Sequence, residues 1–364
     1  MSSRFDLLVD GQPAADVAAA LSLLEVEESA DQPGKVSLTL PIARTSTGDL
    51  DGPSDPRLAP LSNLAVTASA ADGQVHCLFD GYVLAQNLHL DKGVTESRIK
   101  VWGQDASWLM NTTERAREWV DVTDADVATS IFGEYGFKAD VANDEEAPAH
   151  SESGHSLMQR ATDAQFLQVL ARRSGKLFRV FCTDKPGERT ASFGAPRLDG
   201  DPVATLTLNG AEDANLDSVD FAWDVMRPTA VSAGQALFTT TDAAGSETAD
   251  SGLAPLDARD LSTFAGQPVT ALLTTIVDDT GELSQRARSV LRDAGWFVRC
   301  EGEADAGRLG SILRVGSVVM LNAAGSVHSG KYLVWNVRHT ITAEAHKMAF
   351  TLVRNAVGEA GVAP

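Results

Sequence analysis

The sequence predicts a mainly β protein with α+β insertions. Three observations predict it. Apolar residues alternate with polar ones in the first and last thirds of the chain, the period of half-buried strands. Two capped helical patterns are confined to the middle. One strand motif, with its flanking strands, occurs twice. At 364 residues the chain is long enough for two or three domains, and 43% hydrophobic residues can fill their cores.

The first strands are the clearest. In "KVSLTLPI" the apolar set is Val36, Leu38, Leu40 and Ile42, with Lys35, Ser37 and Thr39 between them. "LAVTASA" and "ESRIKVWG" alternate in the same way. Between them "RTSTGDLDGPSDPRLAP" is rich in Gly, Pro and Asp and predicts a surface loop. The pattern then changes. In "DVTDADVATSIFGEYGF", Thr123 and Asp126 form a capping box, Val127, Ile131 and Tyr135 recur every four residues, and Gly136 stops the helix. A second helix runs through "ATDAQFLQVLARRSG", capped by Thr162 with Gln165 and ended by Gly175. "KLFRVF" returns to strand.

Strand patterns resume in "VATLTLNG", "DSVDFAWDV" and "TAVSAGQALF". Residues 241 to about 265 are rich in Ala, Ser, Asp and Gly and predict a long exposed loop. "GELSQRARSVLRDAGW" predicts a short helix with Leu283, Ala287, Val290, Leu291 and Ala294 on one side. "SVVMLNAAG", "GKYLVWNVRHTI" and "KMAFTLVRN" predict the last strands.

The repeat lies in "GYVLAQNLHL" and "GKYLVWNVRH". Gly81 matches Gly330, Leu84 matches Leu333, and Asn87 matches Asn336, with apolar residues in phase between them. Each stretch follows a strand and a small-residue turn, and each precedes an alternating strand. The six residues are therefore expected to hold equivalent structural positions in an internal duplication.

The composition narrows the function. The formal net charge is −20, with 50 Asp and Glu against 30 Lys and Arg. That argues against specific nucleic-acid binding, which needs clustered cations on phosphates. Cys77, Cys182 and Cys300 are far apart and form no CxxC pair, so isolated reduced thiols are expected. The start "MSSRFDLLVDG" shows no signal-peptide pattern, and no run approaches the ~18 apolar residues of a membrane span. Synthesis in the cytoplasm is expected.

Catalytic patterns are missing. His155 and Ser156 in "SGHSLMQ" are adjacent, but Met158 stands where the GxSxG elbow needs glycine. Neither HExxH nor a cysteine pair is present, and no phosphate loop follows a strand. Acidic pairs such as Glu27 with Glu28 and Asp278 with Asp279 are unremarked among fifty carboxylates. His339 and His346 flank "TITAEA" and are expected as exposed strand and turn residues, while Tyr332 and Trp335 are expected to pack a barrel or an interface. No catalytic, metal or cofactor site is expected.

Three stretches carry a family resemblance. They are "VWGQDASWLMNTTERAREWVDVTDADVATSIFGEYGF", "TDAQFLQVLARRSGKLFRVF", and the run from "LRVGSVVML" through "SGKYLVWNVRHTI" to "MAFTLVRN". In this order the chain resembles the tail and baseplate hub family of contractile phages and injection systems, the late control gene D proteins and the hub part of VgrG spikes. The resemblance implies a non-enzymatic homotrimer in which each chain gives two similar tube-forming β-barrels to a ring, with peripheral α+β domains outside. Such a ring joins a sixfold tail tube to a threefold spike. It implies as partners a tail-tube protein, a separate spike protein, and other baseplate or tape-measure proteins, within an assembled phage tail or injection particle. The expected division is 1–110 for the first barrel, 111–200 for the peripheral α+β domain, 201–240 with 308–358 for the second barrel, 241–307 for an inserted loop and helix region, and 359–364 for a tail. A tail-associated cell-wall hydrolase and a carbohydrate-binding tail-tip module are the alternatives. With −20 per chain, subunit contacts are expected to be poor in acid, with carboxylates sent to the outer wall or the lumen.

Overall fold

A computed structural model describes residues 4–51, 55–71, 73–92, 97–142, 148–152, 156–208, 214–236, 243–275, 277 and 280–359. His155, Asp278 and Asp279 lie outside these residues. The N-terminal part is built of β1 (Arg4–Val9), β2 (Gln12–Pro13), α1 (Ala15–Ala20), β3 (Leu23–Ser29), β4 (Lys35–Pro41), β5 (Asn63–Ser69), β6 (Val75–His89) and β7 (Arg98–Asp105). Alternation decides the buried face: Val36, Leu38 and Leu40 are buried, as are Ile99 and Val101 on the neighbouring β7.

The middle segment folds on its own core. β8 (Glu114–Trp119), α2 (Asp124–Glu134), β9 (Lys138–Val141), β10 (Leu157–Thr162), α3 (Asp163–Arg173), β11 (Leu177–Cys182) and β12 (Arg189–Gly194) enclose Trp119, Ile131, Phe132, Phe166, Leu167 and Phe193. Both helices begin where the sequence places their caps. The Thr123–Asp126 box is reciprocal, and Thr162 Oγ1 accepts from the Gln165 amide at 3.3 Å. Gly136 and Gly175 end them at φ +67° and +63°, where a Cβ is disfavoured.

The remaining elements are β13 (Thr205–Thr207), β14 (Leu216–Trp223), β15 (Ala230–Ala236), β16 (Ala243–Thr248), β17 (Arg259–Asp260), α4 (Leu261–Ala265), β18 (Thr270–Leu273), α5 (Thr280–Gly295), β19 (Val298–Asp305), α6 (Ala306–Leu309), β20 (Val318–Asn322), α7 (Gly325–His328), β21 (Gly330–Ile341), β22 (His346–Arg354) and β23 (Ala356–Val357). One 13-stranded sheet follows the path β14-β19-β22-β21-β3-β4-β7-β6-β5-β1-β2, with β20 on β21 and β13 on β20. The path is two similar halves joined where β21 pairs antiparallel with β3. The N-terminal half reads β3-β4-β7-β6-β5-β1, and the C-terminal half reads β14-β19-β22-β21-β20-β13. Five strands correspond in order, all with antiparallel neighbours. The sixth differs, because β1 pairs antiparallel with β5 whereas β13 pairs parallel with β20. One apolar core runs beneath both halves, holding Leu24, Leu38, Leu64 and Ile99 together with Val319, Leu321, Tyr332 and Leu352.

Four expectations need correction. β15 falls in the 201–240 segment yet belongs to a separate sheet with β16 and β18, covered by α5. β19 falls in the 241–307 segment, expected as loop and helix, yet is a strand of the main sheet between β14 and β22. An alternating pattern marks a strand but does not name its sheet, and hydrogen bonding decides that. The stretch 241–265, expected as a loop, holds β16, β17 and α4. Finally, Cys77 on β6 and Cys182 on β11 form a disulfide with Cα atoms 5.6 Å apart. Residues 105 positions apart meet because β11 lies against β6, a proximity that spacing in sequence does not carry. Cys300 is free and buried, its thiol pushed up to about 12 by burial. Among the described residues the strand path is open, with no pairing between β14 and β2. Within them, no helix is long and apolar enough to cross a membrane.

Candidate functional site: a polar face shared by both halves

Residues paired across a ladder point to the same side, so register maps one face of the sheet as rows. One row runs Asp220, Glu301, Thr351, Asn336, Ser29. The next runs Glu303, Ala349, Arg338, Glu27, Lys35, Gln104. A third runs Lys347, Thr340, Glu25, Ser37, Trp102, Ala85. The rows cross the seam between the halves without a break. A groove of about 540 Å³ lies along the seam, lined by Gln32, Lys35, Glu301, Asn336, Arg338 and Thr351 among others.

The chain is strongly acidic, yet this face mixes signs. Lys100 Nζ is 3.5 Å from Glu25, Lys347 Nζ is 3.4 Å from Glu303, and Arg299 is 2.6 Å from Glu301. Such half-exposed pairs contribute about 0–1 kcal/mol each. Their use here is to keep a broad sheet face wetted and near neutral.

Behind the seam lie buried charges. Arg314 Nε donates to Glu28 at 2.7 Å and its Nη2 to the Cys182 carbonyl at 2.9 Å, tying β3 to the middle domain. Asp105 accepts from the Gly34 and Ser107 amides, and burial raises its carboxyl to about 6. Asp80 pairs with Arg189 at 2.7 Å, and Arg189 also donates to the Tyr82 hydroxyl at 2.9 Å. In the C-terminal half Arg354 is fully buried. Its guanidinium bonds Asp257 and the Ser329 carbonyl and lies 4.8 Å from the Tyr332 ring centre.

The two histidines differ from expectation. They do sit on either side of the turn between β21 and β22, but both are buried, and His339 Nδ1 is 3.0 Å from His346 Nε2. Strand alternation puts His339 on the core side, level with Val26 and Met348, where the polarity of the residue type misleads. Burial depresses His339 well below the ordinary histidine range, helped by His346, Arg314 and His76. Burial also lowers His346 to about 4, opposed by Asp305. Among the described residues no group of three or more His, Cys, Asp and Glu could hold a metal.

The six repeat positions are not alike in their surroundings. Asn87 is exposed beside its partner Lys100, while Asn336 is half-buried between Thr351 and Ser29 with its Oδ1 unpaired. Both belong to the polar face. At Gly81 a Cβ would stand 2.0 Å from the Gln104 carbonyl oxygen, so β6 and β7 cross too closely for a side chain. Gly330 has φ +131° and faces the Arg354 guanidinium and Asp257. β6 carries a bulge at Leu78 against β5, and each long strand carries one against the strand that follows it, at Leu84 and at Trp335. Matching Leu84 to Leu333 leaves these bulges two residues out of step, and Leu333 is buried where Leu84 is half-buried. The charged anchors Arg354, Arg189 and Arg314 were missed by sequence reasoning. Only Arg354 left a signal, a cation ending the apolar run "MAFTLV".

The family model for the Alg8 N-terminal domain, Alg8_N, matches residues 2–343. The chain belongs to that family. No curated protein matches this Alg8_N chain. Among solved structures it is similar to the 43 kDa tail protein of prophage MuSo2 from Shewanella oneidensis, with TM-score 0.69, 14% identity, and coverage of 98% of this chain and 100% of that one. It is similar to the tail protein of Neisseria meningitidis MC58, with TM-score 0.69, 15% identity, and coverage of 98% and 97%. It is also similar to an E. coli component of the type VI secretion system, itself described as resembling T4 bacteriophage tail proteins, with TM-score 0.57, 13% identity, and coverage of 100% and 80%. At these identities the Alg8_N chain shares a fold with tail proteins.

Proposed function

We propose that this chain is a structural baseplate hub of a contractile phage tail or injection system, without enzymatic activity. The observation that carries the reading is the strand path that occurs twice in one chain and joins edge to edge through β21 and β3. Three such chains would present six similar sheets, which suits a symmetry adaptor between a sixfold tail tube and a threefold spike. Closure of the sheets into barrels and of three chains into a ring would cover the open ends of the path at β14 and β2. The neighbours named as tail proteins support the tail role. The partners on this reading are two further copies, the tail-tube protein, a separate spike protein, and other baseplate or tape-measure proteins. The repeat-equivalent positions Gly81, Leu84, Asn87, Gly330, Leu333 and Asn336 would then lie on corresponding walls of the ring.

The test is mass in solution across a concentration series. A particle of three chain masses is expected. A persistent monomer at high concentration would remove the ring. Cleavage of purified peptidoglycan by the protein would remove the non-enzymatic part and favour the hydrolase alternative.

A further inference from the structure

A second cavity, of about 410 Å³, lies where the end of α3, the last turns of α5 and the bulge of β21 meet. Its size is that of a small-ligand or single-anchor pocket. The bulge turns Trp335 out of the ladder, while its carbonyl still accepts from the Ala30 amide at 2.9 Å. The Trp335 ring stands 5.8 Å from that of Trp296, tilted by 52°. Both rings are half-buried, and a tilted pair of this kind leaves room for a third ring edge to face.

The walls are fixed. Arg292 donates from Nε to the Ser251 carbonyl at 2.7 Å and from Nη1 to the Ser174 carbonyl at 3.3 Å. At Gly175 a Cβ would be 2.8 Å from Ser289 Cα, so α3 and α5 are in close contact there. The apolar lining is completed by Leu177, Pro196, Leu253 and Val290. On the rim stands Arg172, exposed and without an ion-pair partner among the described residues. The lining includes three cations, Arg172, Lys176 and Arg292, against two carboxylates, Asp31 and Asp293, an excess of one positive charge. On a chain of net charge −20 this is a locally basic, aromatic pocket.

We propose that this cleft docks an acidic polypeptide segment of a partner protein, with an aromatic side chain between Trp296 and Trp335 and an adjacent carboxylate on Arg172. Tryptophan and arginine are the residue types that most often anchor protein interfaces. The mainly apolar lining favours a peptide anchor over a sugar, whose hydroxyls would need more polar groups facing inward.

The probes are the capped peptides Gly-Phe-Asp-Gly and Gly-Phe-Asn-Gly, titrated by calorimetry and by two-dimensional NMR on the full chain. The acidic peptide is expected to bind at about millimolar Kd, the scale of a single anchor, and to perturb the indole signals of Trp296 and Trp335. The neutral peptide is expected to bind about threefold more weakly, the size of an exposed charge pair. Arg172→Glu, on an exposed position, should abolish that discrimination while leaving the fold intact, and Trp335→Leu should weaken both peptides about tenfold. Absence of binding by either peptide, or binding indifferent to both substitutions, overturns the proposal. So does binding of glucose or glucuronic acid oligomers in place of the peptides. A monomeric protein that still shows the expected binding would fail the hub reading alone.

Discussion

The two halves of the main sheet share a strand path and little else. In the N-terminal half, β6 is tied to the middle domain by the Cys77–Cys182 disulfide and by Asp80 with Arg189. In the C-terminal half no disulfide serves, and β22 is tied to the inserted segment by the buried Arg354 with Asp257. Backbone pairing fixes the path, and covering domains are fastened afterwards by whatever chemistry each site allows. The largest expected effects therefore lie at the fasteners. Arg354→Ala leaves Asp257 without its cation and removes the guanidinium from the Ser329 carbonyl, and losing one member of a buried pair costs about 3–5 kcal/mol. Urea unfolding should show this loss, with a smaller one for Arg189→Ala, because the buried Asp80 keeps the Asn63 side chain and the Gly187 amide as donors. Equal losses would mean that the two fastenings are energetically alike.

The disulfide should rank next. It spans 105 residues, and bridges of this kind contribute about 2–4 kcal/mol. Cys77→Ser with Cys182→Ser should lower the unfolding midpoint and raise amide exchange in β11 and β12, leaving β19 and β22 protected. Loss of protection in both halves together would show that the halves are not fastened independently.

The strands and the two capped helices were legible because their signals are local. Lys35–Pro41 alternates, and Thr123 with Asp126 carries its own cap. The division into sheets was not, since β15 reads as a strand without naming its sheet, and β19 falls in a stretch that reads as a loop and helix region. The polar face was half legible. Asn87 and Asn336 were singled out and both lie on it, but which residues share a row depends on register between strands remote in sequence. The buried histidines were misread for the same reason. The side of His339 follows from pairing with β3, about three hundred residues away, and that of His346 from pairing with Ile341 on β21.

That pairing gives the acid response of the seam. His346 is held at about 4 against an ordinary 6.5, so between those values the unfolded chain binds the extra proton and the folded chain does not. Stability is thus present above pH 6.5 and falls as pH drops toward 4, by about 3 kcal/mol in all. His339, lowered further, acts in the same direction. Asp105 acts in the opposite one. Its carboxyl is raised to about 6 from 3.8, so the folded chain takes up the proton first and gains stability as pH falls through that interval. The wild-type protein should therefore lose stability in acid less steeply than the two histidines alone would make it. Asp105→Asn should steepen the acid loss, and His346→Gln should lessen it. Two variants with the same pH profile would show that neither group titrates as described.

The smallest effect separates the seam from the interior of the C-terminal half. Glu27 stands between Arg338 and Lys35 in its row, whereas Glu303 is paired across the ladder with Ala349. Glu27→Lys places a cation between two cations, and like charges directly opposite cost about 0.2–1 kcal/mol per pair. Glu303→Lys meets only Lys347 diagonally, at the same strand spacing as the pair it replaces, and should cost less. The difference should shrink in about 1 M salt, where the screening length is about 3 Å. If the seam substitution also shifts the mass of the assembled particle while the Glu303 one does not, the polar face contributes to chain–chain contact as well as to solubility. If neither shifts it, the mixed charge of the face serves only to keep it wetted.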